Sequence, residues 1–253
     1  MYVDKKATMR TKYAVLFSGR SDYRHLNELE LMYRVLITDC QFMPSNIYVL
    51  YFDGSINYYG LPKPVAQFPS ENGAEPTDYQ LIIDGCGTLA TFKQALFKLK
   101  TLLQPEDLLF IHTSGHGGGA DRNNPNIQSS LCDFSVFPSV KTQDLASALA
   151  QLPNFDSLVV MMSQCHGGGF ISPILQSHTA NQAHLSIAAS MLKESRASYE
   201  FSPFAYRWIM AWKQKTIYSP QQAFEFALSD ETQMDNPTSA SFNNSNKPIN
   251  MRD

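Results

Sequence analysis

The sequence predicts an α/β protein, a mostly parallel sheet wrapped by helices. Short apolar runs recur at Tyr13 to Phe17, Ile47 to Phe52, Leu108 to Ile111, Leu158 to Met162 and Leu185 to Ala189. They are apolar at successive positions, as in a strand covered on both faces. Stretches with helical spacing lie between them, and alternation of the two signals is the mark of a parallel sheet with crossover helices. The composition agrees: 253 residues, 43% hydrophobic and only 17% charged, can bury one large core. That balance excludes a disordered, collagen-like or coiled-coil chain, and it predicts one domain, two at most.

Along the chain, the first strand (YAVLF) is followed by a helical stripe of Leu26, Leu29, Tyr33, Leu36, Ile37 and Cys40, then by the second strand (IYVLYF). Asp53 to Cys86, rich in Gly and Pro, reads as a loop. Leu89, Phe92, Leu96, Leu99 and Leu103 mark a second helix, with Lys93, Lys98 and Lys100 on its solvated face. The third strand (LLFI) leads into a loop-like stretch, Gly117 to Ser139, before the strands LVVMM and LSIAA. Two helices, roughly Ser202 to Lys213 and Pro220 to Leu228, follow; Ser219 stands at an N-cap and Pro220 in the first turn. Residues 1–229 are expected to form the domain, and 230–253, dominated by Asn, Ser, Thr and Asp, a flexible or loosely attached tail.

Charge and motif content exclude several functions. Twenty Lys and Arg against 23 Asp and Glu, with a pI near 6.1 and no basic block, offer no electrostatic footprint for nucleic acid or anionic lipid. No segment approaches the 18 or so apolar residues of a membrane span, and Met1 to Arg10 lacks the apolar stretch of a signal peptide. Cys40, Cys86, Cys132 and Cys165 are widely spread with no C-x-x-C pair, which suggests neither a disulfide scaffold nor structural zinc. A reducing, cytoplasmic compartment of bacterial type, or delivery without a classical signal, is the expectation.

Leu108 to Gly119 (LLFIHTSGHGGG) and Leu158 to Gly169 (LVVMMSQCHGGG) share a pattern in which a buried strand runs into His-Gly-Gly-Gly. In a parallel sheet both would arrive at the carboxyl edge, where α/β proteins place ligands and chemistry. Two glycine-rich structural turns would read the same way. The functional alternative pairs Cys165 with His116. A cysteine with a free pKa of about 8.5 needs a base or a thiolate-favouring site to act as a nucleophile. His116 would handle the proton traffic, and the N–H of Gly117, joined by that of Cys165, would hold an oxyanion. Cys40 reads as a buried hydrophobe; Cys86, Cys132, His178 and His184 have no catalytic context.

The 49-residue spacing of His116 and Cys165, with Gly117 after one and Gly167 two after the other, resembles the caspase-like cysteine peptidases of clan CD. More of the chain resembles the legumain (asparaginyl endopeptidase) family. Ala14 to Gly19 (AVLFSG) with Asp22-Tyr23-Arg24-His25 is similar to the first legumain strand and its Asn-Tyr-Arg-His. Pro44 to Asp53 (PSNIYVLYFD) is similar to the second strand. Ser114 to Gly117 (SGHG) and Ser163 to Gly167 (SQCHG) match the two catalytic motifs, and Ala188 to Tyr199 (AASMLKESRASY) the segment after the fifth strand.

The resemblance implies a caspase-like α/β/α sandwich with a mostly parallel six-stranded sheet. It implies a cysteine endopeptidase acting on protein or peptide substrates and needing no cofactor or metal. Asp22 would orient His116, although it also fits a plain turn residue. Arg24 would lie in the pocket for the residue before the cut, favouring Asp or Asn there, although it also fits an exposed helix-start arginine. His25, Ser163, His166 and Ser195 would complete the substrate-binding set. Ser163 and His166 stand where legumains carry glutamates, which alters the polarity of the pocket.

Three rivals remain at this level: an α/β-hydrolase with a cysteine elbow, a metal site of His112, His116, Cys165 and His166, and a caspase-like scaffold without catalysis. The first lacks a histidine well downstream of the nucleophile, since the last one is His184. A transpeptidase using the same thioester is a fourth.

Overall fold

The computed structural model describes residues 10–20, 22–56, 68–69, 75–119, 121, 123–124, 128–134, 139–229, 236–245 and 247–252. Its centre is a six-stranded sheet. The strands are β1 (Lys12–Ser18), β2 (Ile47–Tyr51), β3 (Leu108–Thr113), β7 (Phe155–Met162), β8 (Ala180–Ile187) and β9 (Thr238–Asn243), in the order β2-β1-β3-β7-β8-β9. The first five run parallel and β9 antiparallel. The remaining strands, β4 (Gly117–Gly118), β5 (Ser130–Leu131) and β6 (Val140–Lys141), form a small antiparallel sheet; β4 and β5 fall within the stretch read as a loop and β6 begins just after it.

Alternate residues of the parallel strands enter two cores. Ala14, Leu16, Phe110, Val159 and Met161 face α1 (Tyr23–Thr38), α5 (Pro203–Ala211) and α6 (Pro220–Leu228), where Leu26, Met32, Trp208 and Trp212 are buried. Val15, Phe17, Ile111, Leu158, Val160 and Met162 face α2 (Leu89–Lys100), α3 (Thr142–Leu149) and α4 (Ile171–Ser177), through Phe92, Leu96, Leu145, Leu149 and Ile174. This double cover explains why the strands are uniformly apolar. The architecture is the caspase-like α/β/α sandwich.

Local chemistry sets the helix starts. Thr88 caps α2 in a box with Thr91, and Lys98 and Lys100 sit in its last turn, where the helix dipole favours cations. Ser219 accepts from the Gln222 N–H with Pro220 in the first turn of α6. Helices α3 and α4 and the strands β4, β5, β6 and β9 were not evident in the sequence, being short or polar.

The loosely attached tail is corrected, apart from residues 230–235, 246 and 253, which lie outside the described residues. Thr238–Asn243 closes the outer edge of β8, from Gln182 paired with Asn243 to Ile187 paired with Thr238. Beyond it Met251 is fully buried, and Lys12 Nζ donates to the carbonyls of Cys40 at 2.7 Å and Arg252 at 3.1 Å. An edge strand is held by backbone hydrogen bonds, which a polar sequence supplies as well as an apolar one.

Candidate active site

The ladder between β3 and β7 aligns Leu108 with Ser157 through to Thr113 with Met162, a constant offset of 49 positions. His116 and Cys165 are separated by the same number, so they leave neighbouring parallel strands at the same height, at the carboxyl edge. Gly115, at φ 134°, turns the chain between β3 and His116 in a conformation that favours glycine. The two segments then touch. A Cβ on Gly117 would collide with the Cys165 carbonyl oxygen and lie 3.0 Å from its carbonyl carbon, so only glycine permits this approach.

Asp22 stands at the N-cap of α1 with extended backbone, yet its carboxylate makes no capping bond. Instead Oδ2 accepts from His116 Nε2 at 3.0 Å and from Arg24 Nη2 at 3.0 Å. The hydrogen bond from His116, helped by the neighbouring charge of Arg24, overcomes partial desolvation and holds the Asp22 carboxyl at about 2. With Nε2 engaged, Nδ1 is the ring atom of His116 left for proton exchange.

Cys165 is half-buried. Its Sγ lies 3.4 Å from the Ser195 N–H and 3.6 Å from Ser195 Oγ, on the segment following β8; among the described residues no hydrogen bond joins the sulfur to the His116 ring. His166, directly after it, adopts the left-handed conformation at φ 59°. Its N–H donates to the Lys193 carbonyl at 2.8 Å, its ring packs over Gly119, and Nδ1 lies 3.1 Å from the Met191 carbonyl. A non-glycine residue held left-handed beside the cysteine gives a sharp turn into a short 3₁₀ segment, Gly167–Phe170, and then α4.

Two expected substrate contacts are corrected. His25 is 2% exposed and packs edge-on against the His116 ring, with centroids 5.2 Å apart; burial, with Arg24 adding to it, pushes its pKa down to about 3. It is a neutral support behind His116 rather than a surface for substrate. Ser163 is likewise 2% exposed, and its hydroxyl donates inward to Glu28 Oε2 at 2.7 Å. Both residues lie on the interior side of their segments, an orientation that motif matching cannot read. Arg24, Ser195 and His166 remain around the rim, with Arg24 already engaged by Asp22.

Glu28 was missed in the sequence. The available signal was an acid whose helical neighbours at i+3, i+4 and i+7 are Leu31, Met32 and Val35, an apolar face opposite the main stripe where a solvated acid is out of place. Among the described residues, the His, Cys, Asp and Glu side chains close enough to share an ion are those of Asp22, His25 and His116, with ligand atoms within 4.8 Å of one another. His112 is not part of such a group; it is buried in β3 with Nδ1 3.2 Å from the Met161 carbonyl. A groove of about 380 Å³ lined by Lys93, Phe97, Lys100 and Gln151 lies on elements that carry none of the site residues.

No curated protein matches the chain. Among solved structures, the crystal structure of protein GSU0716 from Geobacter sulfurreducens is similar in fold. The likeness covers 93% of this chain and 94% of that one, at a TM-score of 0.60 and 13% identity. The family model described as "Peptidase C13 family" matches residues 12–248. This is the legumain family of clan CD, and membership supports a cysteine-peptidase kind of activity. Nearly the whole chain is matched, over the same strands that carry the His-Gly and Cys-His-Gly motifs, and the chain belongs to the peptidase C13 family.

Proposed function

We propose that the protein is a cysteine endopeptidase in which Cys165 is the nucleophile and His116 the acid and base. His116 Nδ1 takes the thiol proton as the Cys165 sulfur adds to the peptide carbonyl, and delivers that proton to the leaving amine as the C–N bond breaks. Water, deprotonated by the same nitrogen, then adds to the thioester, and the C–S bond breaks to release the acid while the sulfur takes the proton back. Asp22 keeps the ring in the productive tautomer and stabilises it when charged. The Gly117 N–H faces the developing oxyanion. His116 O accepts from Cys132 N at 2.9 Å, so Gly117 and Leu131 form a non-hydrogen-bonded pair and the ladder does not consume that N–H.

The observation that carries this reading is the diversion of the Asp22 carboxylate from its helix cap to His116 Nε2, beside a cysteine delivered at the same height. A structural turn needs no such diversion. Arg24 supplies a cation beside Asp22 and favours a carboxylate or side-chain amide before the cut, that is Asp or Asn.

The test is labelling with acyloxymethyl ketones bearing Asp, Asn or Arg at the reactive end, in wild type and Cys165→Ala. Labelling by the Asp or Asn probe that vanishes in the variant supports the reading. Labelling by the Arg probe alone removes the pocket assignment, and equal labelling of the variant removes the nucleophile. Product analysis with an added amine separates hydrolysis from transfer to that amine.

A further inference from the structure

Glu28 lies inside α1 with no exposed surface. Its Oε2 accepts the hydroxyl of Ser114 at 2.6 Å and that of Ser163 at 2.7 Å, while Oε1 accepts the backbone N–H of Ser202 at 2.6 Å. Each donor belongs to a segment that builds the site. Ser114 precedes His116 by two residues, and Ser163 precedes Cys165 by two. Ser202 is the N-cap position of α5 and ends the segment that carries Ser195. The adjacent Asn27 Nδ2 donates to the Glu200 carbonyl at 3.0 Å and holds the same segment.

A buried carboxylate is costly unless its oxygens are fully used, and three short charge-assisted bonds use them. The arrangement couples the segments mechanically. Because both serine hydroxyls converge on one oxygen atom, the ends of β3 and β7 cannot shift independently without losing a bond to a buried charge. The other oxygen ties the wall bearing Ser195 to the same point.

We propose that Glu28 is a positioning residue: one buried carboxylate sets the relative placement of His116, Cys165 and Ser195. The inference rests on the peptidase reading for its consequence in turnover. Misplacement of reacting groups by about 1 Å costs on the order of 100-fold in rate, so the effect belongs in kcat.

The test compares Glu28→Ala, Glu28→Gln, Ser114→Ala and Ser163→Ala, alone and combined. Glutamine can fold in place: its Oε1 accepts from Ser202 while Nε2 donates to the two serine oxygens, and Ser163 Oγ has the Thr113 carbonyl at 3.3 Å as an alternative acceptor. The expected result is a fall in kcat of about 100-fold for Glu28→Ala and about 10-fold for Glu28→Gln, with KM within about threefold. Each serine variant lowers kcat in wild type but has no further effect in Glu28→Ala, because the carboxylate is their common partner. A kcat within about twofold of wild type in both Glu28 variants overturns the inference, as do losses that multiply across the Glu28 and serine changes. Losses that follow the unfolded fraction and vanish well below the melting temperature overturn it too, since a purely structural role predicts that.

A wild type that alkylates at Cys165 but cleaves no peptide overturns the peptidase reading alone. The rate of iodoacetamide alkylation at Cys165, in wild type and His116→Ala, then carries the test. Glu28→Gln is expected to lower the His116-dependent part of that rate by about tenfold, and an unchanged rate, or one that His116→Ala does not alter, overturns the inference.

Discussion

Asp22 accepts a 3.0 Å hydrogen bond from His116 while standing at a helix N-cap that it does not cap. The carboxylate is therefore a local cost to α1 and a benefit to the imidazole. Asp22→Asn keeps an oxygen acceptor for Nε2 and is expected to retain activity within about tenfold, whereas Asp22→Ala loses about 100-fold. Peptide turnover by the two variants, with helix content checked by circular dichroism, decides this; equal activity in both removes the orienting role.

The depressed pKa of Asp22 carries its own pH signature. A carboxyl lowered from 3.8 to about 2 contributes stability that is present above about pH 4 and lost as pH falls toward 2. The side chain is 38% exposed, so solvent screening keeps the contribution small. Through this carboxyl, wild type should lose stability relative to Asp22→Asn as pH falls from about 4 toward 2. A difference that changes between pH 5 and 7 assigns the titration to another group.

Acid lability above that range belongs to buried histidines. Burial lowers His112 and His184 to about 4 and His25 to about 3, from 6.5. As pH drops below 6.5 the unfolded chain takes up protons that the folded chain refuses, so stability is full above 6.5 and declines on acidification. The steepest slope is about 1.4 kcal/mol per pH unit for each histidine. Urea midpoints measured from pH 8 to 4.5 should fall, and His184→Gln should flatten the fall. Midpoints that stay level would sink the assignment.

Gly117 is where a single methyl group acts on both halves of the site. Gly117→Ala must push His116 and Cys165 apart or twist β4, because the added carbon meets the Cys165 carbonyl. The expected loss is about 1–3 kcal/mol of stability together with most of the turnover. An active, stable Gly117→Ala protein would show that the two backbones separate more freely than their contact implies.

The last strand tests the fold rather than the chemistry. Ending the chain before Thr238 uncovers β8, whose residues Ala183, Leu185 and Ile187 are buried. The truncated protein is expected to associate or precipitate through the exposed edge. Size-exclusion profiles indistinguishable from those of the full chain would argue that β9 is dispensable.

Five of the six strands of the main sheet were legible because a doubly covered strand writes its burial into every position, as in Leu109, Phe110 and Ile111. β9 was not, since its ladder to β8 is made by backbone and its side chains are polar. In the site, the pairing of His116 with Cys165 was legible as a repeated strand-to-glycine pattern and a spacing that equals the ladder offset. The inward turn of His25 and Ser163 was not, because a motif gives residue identity and not the direction of a side chain. Glu28 meets Ser114 and Ser163 across 86 and 135 positions of chain, a separation at which no local pattern survives.

The shared height of His116 and Cys165 has a consequence for how such a chain tolerates change in length. One residue added between Thr113 and His116 throws the imidazole out of phase with the sulfur by a whole step of the pleat. The same residue added at the exposed turn around Gln151 leaves the phase of both strands untouched. Permitted insertions are therefore sorted by which side of a strand terminus they fall on, and the reach of chain linking the two motifs is free to drift while the two short spacers after β3 and β7 are not.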